Sequence, residues 1–263
     1  MTNAFDHIAA DYDKDFTLSE TGKLARQHVM DYVEKNIIKG GHLMILELNC
    51  GTGEDAIHLN KAGNEVFATD ISSEMIRVAK AKAEIVEEKG LTFMQLSFAE
   101  LPQEWMKEKF NLVFSNFGGL NCIDENELRR LFKAVKETLK PRGRFVGVVM
   151  PGYCLWEIFY FLMKGQWKKA FRRNKKGPVS IDLQGVPVDT WFYSPKKVKQ
   201  MAGDLKIVAI RPVGLILPPS FLEGFFHKRK NLLKTLGQAE KVFGNFRVFA
   251  GISDHFLFDM KKK

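Results

Sequence analysis

Short apolar runs alternate with helical patterns over residues 43–150, and this alternation constrains the fold of the chain more than any other feature. Each apolar run has the length of a strand and is bounded by turn residues, whereas the stretches between the runs show helical spacing. The predicted strands cover residues 43–48, 65–69, 92–96, 110–115 and 144–150, and the predicted helices cover residues 18–38, 56–62, 74–89 and 126–139. Strands that alternate with helices predict an α/β fold, an open parallel sheet with helices on both faces.

The second half of the chain is less regular than the first. A helical pattern over residues 155–173 is interrupted near Gly165, and residues 179–192 alternate around Gln184 and Gly185 like a β-hairpin. Further elements are predicted at residues 195–201 (helix), 206–211 (strand), 221–243 (helix) and 254–260 (strand).

The composition excludes several classes of protein. The chain has 263 residues, of which 45% are hydrophobic, and this suits one globular domain with an elaboration. Its three cysteines are widely spaced, which predicts neither a disulfide framework nor a metal site. The first residues are acidic and polar, unlike a signal peptide, and the longest apolar run, residues 155–163, contains Glu157 and is too short to span a bilayer. We therefore expect a soluble, cytoplasmic protein.

The turn after the first predicted strand is a candidate binding site. Residues 49–53 read Asn-Cys-Gly-Thr-Gly and connect that strand to the N-terminus of a helix. Glycines let the backbone approach a ligand, and the free N–H groups of the helix terminus point at it. The spacing of Gly51, Gly53 and Ala56, with Asp70 further along, also fits a dinucleotide-binding turn.

Glu47 separates the dinucleotide interpretation from an S-adenosylmethionine site. A carboxylate at the end of the first strand would repel a pyrophosphate, but it would attract the sulfonium and ammonium groups of S-adenosylmethionine. Glu47 lies between Leu46 and Leu48 in an apolar run, which favours a place at a sheet end over a solvated one. These residues therefore favour the cationic cofactor.

Six motifs resemble those of a known family. In chain order they are AFDHIAADYDKDF, ILELNCGTG, FATDISSEMI, LSFAELP, FNLVFSNFGGLN and LKPRGRFV. They resemble the class I S-adenosylmethionine-dependent methyltransferases, especially the small-molecule enzymes of the ubiquinone/menaquinone-biosynthesis type. The resemblance is good over residues 1–150 and weak afterwards. It implies S-adenosyl-L-methionine as cofactor, S-adenosyl-L-homocysteine as product, and a Rossmann-like seven-stranded sheet whose last strand is antiparallel.

The resemblance also implies a set of cofactor contacts. Asp70 would accept both ribose hydroxyls, and Tyr12 or Arg26 would lie near the methionine carboxylate. Asn49 stands where the family has its first glycine, and Asn is among the residues most tolerant of a positive φ. The expected contact residues are Tyr12, Arg26, Glu47, Asn49, Cys50, Gly51, Thr52, Gly53, Asp70, Ile71, Met75, Ser97, Phe98, Ala99, Asn116, Phe117 and Gly118.

At the adenine end, the resemblance implies that Ile71 and Met75 sandwich the ring. Ser97 and Phe98 would lie at its edge. Many members have an Asp at the Ser97 position, which accepts a hydrogen bond from the adenine amino group. A serine oxygen can still accept one such bond, so a weaker contact is expected here.

Methyl transfer from a sulfonium requires orientation and exclusion of water rather than a metal or a protein nucleophile. A general base is needed only where the acceptor group must lose a proton. If residues 254–260 form the antiparallel last strand, Asp254 and His255 lie near the cleft. Tyr153 and His227, from the inserted segments, are further catalytic candidates, and each of the four has a structural alternative.

The predicted organisation divides the chain into a core and a cap. Residues 1–150 form the cofactor-binding core with an N-terminal helical lid, and residues 194–212 and 247–263 complete its sheet. Residues 151–193 and 213–246 form the cap, which in this fold overhangs the ligand-binding edge. The aromatic residues of the cap predict an apolar or amphipathic small-molecule acceptor, such as a lipid or a quinone-like molecule. They are Tyr153, Trp156, Phe159, Tyr160, Phe161, Trp167, Phe171, Trp191, Phe192, Phe221, Phe225 and Phe226.

The charge of the chain leaves its partners open. The net charge is +9, and residues 164–176 are strongly basic beside an aromatic helix. Such a segment suits a solvated face, an anionic membrane surface or RNA. An RNA or protein methyltransferase that docks through this segment is the alternative function, and a cofactor-binding protein without turnover is a third. Nucleic acid is disfavoured because residues 116–119 read Asn-Phe-Gly-Gly, not the Asn/Asp-Pro-Pro-aromatic sequence of nucleic-acid amino methyltransferases. The oligomeric state is not predicted.

Overall fold

The computed structural model describes residues 4–10, 12–13, 17–85, 89–183 and 185–263. Within these residues, seven strands form one sheet and two more form a separate hairpin. The strands are β1 Met44–Leu48, β2 Glu65–Asp70, β3 Leu91–Gln95, β4 Phe110–Ser115, β5 Leu139–Val149, β6 Val179–Leu183, β7 Val186–Thr190, β8 Lys206–Val213 and β9 His255–Lys261. The α-helices are α1 Glu20–Val33, α2 Glu54–Lys61, α3 Ser73–Ile85, α4 Glu125–Thr138, α5 Leu155–Met163, α6 Trp167–Ala170, α7 Pro195–Met201, α8 Glu223–Phe226 and α9 Lys230–Phe243.

The sheet has the strand order β3-β2-β1-β4-β5-β9-β8. The strands from β3 to β5 pair in parallel, whereas β9 pairs antiparallel with both β5 and β8. The prediction of a Rossmann-like α/β sheet of seven strands with an antiparallel last strand is therefore confirmed. Because β1, β2 and β4 are parallel, their carboxyl ends share one edge, where ligands bind in this type of sheet.

The two faces of the sheet are buried in separate hydrophobic clusters. In β1, Leu46 and Leu48 belong to one cluster, whereas Ile45 belongs to the other, together with Val33 of α1. Side chains alternate between the two faces along a strand. Glu47 therefore faces the same side as Ile45, the side that α1 and α2 cover.

Polar side chains mark where several helices begin. The hydroxyl of Ser19 accepts a hydrogen bond from the backbone N–H of Gly22 at the start of α1, at 3.0 Å. Asp124 and Glu127 form a reciprocal capping box at α4, and Ser194 caps α7 ahead of its proline. Such caps satisfy N–H groups that have no partner inside the helix.

Several boundaries in the core differ from the predicted ones. The first helix ends at Val33, and a π-helical turn, Glu34–Ile38, continues the chain. Strand β5 begins at Leu139 instead of residue 144, because its first residues pair irregularly with β4. Helix α3 ends at Ile85, and residues 86–88 of its predicted range lie outside the described residues.

The cap contains shorter helices than its sequence pattern predicts. The helical stretch predicted at residues 155–173, with its break near Gly165, is observed as α5 and α6, although α6 already ends at Ala170. The helix predicted at 221–243 is divided into α8 and α9. The predicted hairpin is observed as β6 and β7, and Gln184 of its turn lies outside the described residues. None of the helices in the described part of the chain is long and apolar enough to cross a membrane.

The two inserted segments pack against each other. The ring of Trp156 in α5 lies 6.0 Å from that of Phe226 in α8, and the ring of Tyr160 lies 5.3 Å from that of Phe221. A fully buried carboxylate from α9, Glu240, accepts hydrogen bonds from the backbone N–H groups of residues 214, 215, 216 and 217. The loop before α8 is therefore held by a side chain more than twenty residues further along the chain.

Candidate functional site

A cavity of about 860 Å³ lies at the edge of the sheet where β1, β2 and β4 end. The loops after these strands line one side, and the N-terminal segment, the β6–β7 hairpin and the loop at residues 213–220 line the others. This volume falls in the upper part of the range of small-molecule pockets, about 300–1,000 Å³. Of the residues predicted to contact the cofactor, those that line the cavity are Tyr12, Arg26, Asn49, Gly51, Asp70, Ile71, Met75, Ser97, Phe98, Ala99, Phe117 and Gly118.

The turn after β1 has the backbone conformation expected of its residues. Asn49 has a φ of 49°, in the left-handed region, as its tolerance of positive φ allows. Its side-chain amide donates to the backbone carbonyl of Asn116 at 2.8 Å and accepts from the hydroxyl of Ser115 at 2.5 Å. A side chain at Gly119 would overlap this amide. Asn49 thus connects the turn after β1 to the turn after β4.

Asp70 ends β2 beside this turn. One carboxylate oxygen accepts the backbone N–H of Gly51 and the other accepts that of Ser72, both at 2.9 Å. Burial raises the pKa of Asp70, although the two backbone N–H groups act in the opposite direction. A carboxylate oxygen can accept more than one hydrogen bond, so Asp70 keeps acceptor capacity toward the cavity that it lines.

A cluster of buried charges lies behind the turn. Arg26 of α1 forms an ion pair with Asp55 of α2 at 2.5 Å, and Asn116 donates to the same carboxylate at 2.9 Å. Glu47 is 1% exposed, and its Oε2 atom has no hydrogen-bond partner among the described residues. Burial and the nearby Asp55 raise the pKa of Glu47 well above its usual range. Within the described residues, the Oε2 atom of Glu47 is thus an acceptor without a hydrogen bond, whereas Arg26 pairs with Asp55.

The N-terminal segment is attached to the site by polar contacts. The carboxylate of Asp13 accepts from the hydroxyl of Thr52 at 2.5 Å and from the ammonium of Lys82 at 2.8 Å. Tyr12 packs with Met75 in a small hydrophobic cluster, and burial raises the pKa of its hydroxyl. The side chain of Thr52 therefore holds the lid segment in place.

At the other end of the cavity, His255 begins β9. Its Nδ1 atom lies 3.0 Å from Asp254, and its ring meets that of Phe117 edge-on at 5.0 Å. The guanidinium of Arg173 donates to Asp254 at 2.8 Å and to Glu157 at 2.7 Å. Although burial acts to raise it, the neighbouring His255 and Arg173 side chains hold the pKa of Asp254 well below its usual range. A chain of charged groups thus connects the cap to a cavity-lining histidine.

Several predicted site residues do not line the cavity. Tyr153 is 41% exposed, and His227 follows the short helix α8 in a separate shallow groove at residues 227–232. His227 therefore does not line the cavity that contains His255. The other predicted residues outside the cavity lining are Glu47, Cys50, Thr52, Gly53 and Asn116, which lie in or behind the turns.

The cap wall of the cavity differs from its predicted composition. Of the cap aromatic residues, Trp191 alone lines the cavity within the described part of the chain. The hairpin supplies aliphatic residues instead, among them Ile181, Leu183 and Val188. The alternation of apolar and polar residues over 179–190 could have identified this face, because residues two apart share one side of a strand.

Comparisons with known proteins agree with this architecture. Residues 45–143 match the family described as Methyltransferase domain. The chain is 30% identical over 251 residues to an uncharacterized protein of Methanocaldococcus jannaschii, a match that covers 92% of this chain and 90% of that protein. It is 27% identical over 168 residues to the demethylmenaquinone methyltransferase of Leptospira interrogans, covering 61% of this chain and 66% of that relative.

A solved structure extends the likeness of the fold to the whole chain. The CcbJ methyltransferase of Streptomyces caelestis superposes with a TM-score of 0.66 at 16% sequence identity. The match covers 99% of this chain and 98% of that one. At this identity the likeness concerns the fold alone. It extends over the part of this chain after residue 150, where the sequence motifs are weak.

Proposed function

Because the chain belongs to the class I S-adenosylmethionine-dependent methyltransferases, we propose that it methylates an apolar or amphipathic small molecule held between the sheet edge and the cap. The observation that carries the proposal is the contrast between the two sides of the cavity. Its sheet side presents Asp70 and the polar turns, whereas its cap side presents Ile181, Leu183 and Leu217. A polar cofactor and an apolar acceptor fit these two surfaces in one orientation.

The residues on the sheet side fit S-adenosylmethionine, the cofactor of this family. The cofactor supplies an activated methyl group on a cationic sulfur, so no metal is required of the protein. Among the described residues, the buried Oε2 atom of Glu47 has no hydrogen-bond partner, and burial together with Asp55 and Asp70 raises the pKa of this carboxyl. Arg26 acts in the opposite direction, and a cationic ligand beside Glu47 would likewise favour its charged form, so the region suits a cation.

We assign the ribose hydroxyls to Asp70. Its carboxylate is already oriented by Gly51 and Ser72, and a carboxylate matches two adjacent O–H donors. Ile71, which is 50% exposed, and Met75 supply apolar surface for the adenine. These roles follow the family pattern residue by residue.

Ser97 also suits the role implied for it at the edge of the adenine. Its hydroxyl donates to Glu100 at 2.7 Å within a capping box. The proton is therefore engaged, and the serine oxygen remains an acceptor for an amino group. Phe98 and Ala99 line the cavity beside it.

His255 is the residue we assign as general base where the acceptor must lose a proton. A carboxylate can only accept, so Asp254 favours the tautomer with the proton on Nδ1. The Nε2 atom is then free to accept a proton. Asp254 in turn is held by Arg173, and the ring of Phe117 meets the imidazole edge-on, so Asp254 and Phe117 together position the imidazole.

The substitution His255→Gln tests this role. For an acceptor that must be deprotonated, we expect methyl transfer to fall by about 100-fold, because glutamine cannot accept the proton. The affinity for S-adenosylmethionine should not change, because the cofactor contacts lie on other residues. Equal loss of cofactor affinity would assign His255 to binding instead of proton transfer.

The acceptor class is tested by transfer of labelled methyl groups into a fractionated cell extract. We expect label in the organic-solvent fraction. The name of one relative, demethylmenaquinone methyltransferase, gives that protein an apolar substrate of this kind. The Asp70→Ala variant should transfer little, and Asp204→Ala, at an exposed acid, should transfer normally. Label in RNA or protein would favour the alternative function, and tight cofactor binding without labelled product would indicate a binding protein without turnover.

A further inference from the structure

The outer surface of the cap carries an apolar stripe, formed by Leu155, Phe159 and Met163 of α5. These side chains are 48%, 65% and 73% exposed. Their spacing of four residues places them on one face of the helix. The opposite face of α5 faces the protein, where Glu157 is buried and Trp156 packs on Phe226. The stripe is therefore not the face that holds the helix to the rest of the protein.

The exposed apolar surface continues beyond α5. Trp167 of α6 is 67% exposed, and Phe171, which follows α6, is 44% exposed. On α8, Phe225 is 55% exposed beside the packed ring of Phe226. A run of large apolar side chains across neighbouring helices is characteristic of an interaction surface rather than of ordinary scattered exposure.

Basic side chains surround this surface. We call the exposed group Lys164, Lys168, Lys169, Lys175 and Lys176 the lysine cluster. Residues 158–181 contain no Asp or Glu. Arg172 and Arg173 do not belong to the cluster, because both form ion pairs with Glu157 inside the cap. The charge that faces solvent is thus positive and lies beside the apolar stripe.

We propose that the apolar stripe, Trp167 and the lysine cluster dock on the surface of an anionic phospholipid bilayer. Helices that lie in a membrane interface combine an apolar face with flanking lysines and an aromatic residue. Their affinity comes from burial of the apolar face and from attraction of the lysines to anionic lipids. A second copy of the chain fits less well, since a two-fold contact would bring the two lysine clusters together. RNA would pair with the lysines but would leave Leu155 and Met163 in water.

The helix α5, which carries the apolar stripe, contacts a segment that lines the cavity. Phe221 contacts the rings of Tyr160 and Phe161 in α5, and its neighbour Ser220 lines the cavity. An amphipathic acceptor could therefore pass from the bilayer into the cavity along this contact. This last step rests on the proposed function, whereas the docking itself does not.

Vesicle flotation without cofactor or acceptor tests the docking directly. We expect the wild-type protein to float with vesicles that contain phosphatidylglycerol, to float less with phosphatidylcholine alone, and to be released by salt. The double variant Phe159→Ser/Trp167→Ser should bind at least about tenfold more weakly. Its matched control, Ile85→Ser/Val208→Ser, removes exposed apolar side chains outside the cap and should bind like the wild type.

A charge-reversal pair tests the electrostatic part. Lys168→Glu/Lys169→Glu should also weaken flotation at least about tenfold, whereas Lys61→Glu/Lys133→Glu, with the same change in net charge, should have little effect. Failure of the wild type to float, equal loss in a control pair, or a shift with RNA but not with vesicles would overturn the proposal. Loss of methyl transfer with normal flotation would count only against the proposed function.

Discussion

The core and the cap acquire their structures in different ways. In the core, local patterns of apolar residues, turns and caps define the elements, and β4 is observed at Phe110–Ser115, as predicted. In the cap, buried charged side chains join segments that are distant in sequence. Glu157 pairs with Arg172 and Arg173 at 2.5 and 2.7 Å, and Glu240 accepts four backbone N–H groups.

This difference has a consequence for the stability of the two regions. Apart from buried ion pairs such as that of Arg26 with Asp55, the core is held by apolar burial, which depends little on pH or salt. The cap wall depends on buried carboxylates. Their removal would leave buried donors or cations without partners, which lowers the free energy of unfolding. Substitutions should therefore destabilise the core mainly by disturbing apolar packing, and the cap mainly by leaving buried polar or charged groups without partners.

Removal of the Glu240 carboxylate should have the largest effect. The Glu240→Ala variant leaves four backbone N–H groups of residues 214–217 without their acceptor, so we expect the free energy of unfolding to fall by about 4 kcal/mol. The measurement is urea denaturation. The control Glu137→Ala, at an exposed helix position, should change the free energy by less than about 0.5 kcal/mol. Similar values for both variants would contradict the role assigned to Glu240.

Gly53→Ala tests the core by steric overlap instead of charge. Gly53 has a φ of 81°, and a Cβ there would lie 2.8 Å from the ring of Phe93 and 2.9 Å from Ala79. Strain and overpacking together should lower the free energy of unfolding by about 3 kcal/mol. Gly63 has a φ of 86° and nothing within 4 Å of a Cβ, so Gly63→Ala should cost only about 1 kcal/mol. Equal costs would show that the close contact with Phe93 relaxes.

Asp254→Asn tests the ionic character of the cap through pH. The pKa of Asp254 in the folded protein lies below its value in the unfolded chain, about 3.9. Its stabilising contribution is therefore present above pH 4 and is lost as the pH falls through the folded pKa. We expect the variant to be less stable than the wild type by about 2 kcal/mol at neutral pH. The difference should shrink below pH 4, as measured by denaturation at several pH values.

The exposed acid Asp204 provides the control for the pH measurement. Its side chain is 73% exposed, so Asp204→Asn should be nearly neutral at every pH. A difference between wild type and Asp254→Asn that stays constant down to pH 2 would exclude the carboxylate charge as its cause.

Asn49→Gly should have the smallest effect. Glycine adopts the observed φ of 49° as readily as Asn, so the turn should persist in the variant. We expect the affinity for S-adenosylmethionine to change by less than about tenfold, which is 1.4 kcal/mol. Calorimetric titration measures it. Much tighter binding by the variant would mean that Asn49 weakens the site.

The sequence is sufficient to predict the sheet and the position of the turns. The strands are short apolar runs bounded by turn residues, and the acids Glu47 and Asp70 occur where such runs end. The parallel order then brings the ends of β1, β2 and β4 to one edge, so Asn49, Asp70 and Phe117 line a common cavity. The resemblance supplied the roles of these residues, which periodicity alone does not.

The remaining features depend on contacts between distant residues. Arg26 and Asp55 form their ion pair because α1 and α2 cover the same face of the sheet, and no local pattern contains that information. His227 was a candidate because it comes from an inserted segment that could reach the cleft, but it lies outside the cavity lining, after the end of α8. In the basic segment at 164–176, the arginines pair with the buried Glu157 and the lysines are exposed. The charge pattern of the sequence does not distinguish these two groups.

Calorimetric titration of variants at Asp70 determines whether S-adenosylmethionine binds in this cavity with its ribose at that residue. We predict that Asp70→Ala lowers the affinity by about 100-fold, because hydrogen bonds from two hydroxyls to a carboxylate are lost. Asp70→Asn, which retains an acceptor for the turn, should also bind more weakly, and Asp204→Ala should bind normally. Unchanged affinity in folded Asp70→Ala and Asp70→Asn variants would exclude Asp70 as the residue that binds the ribose.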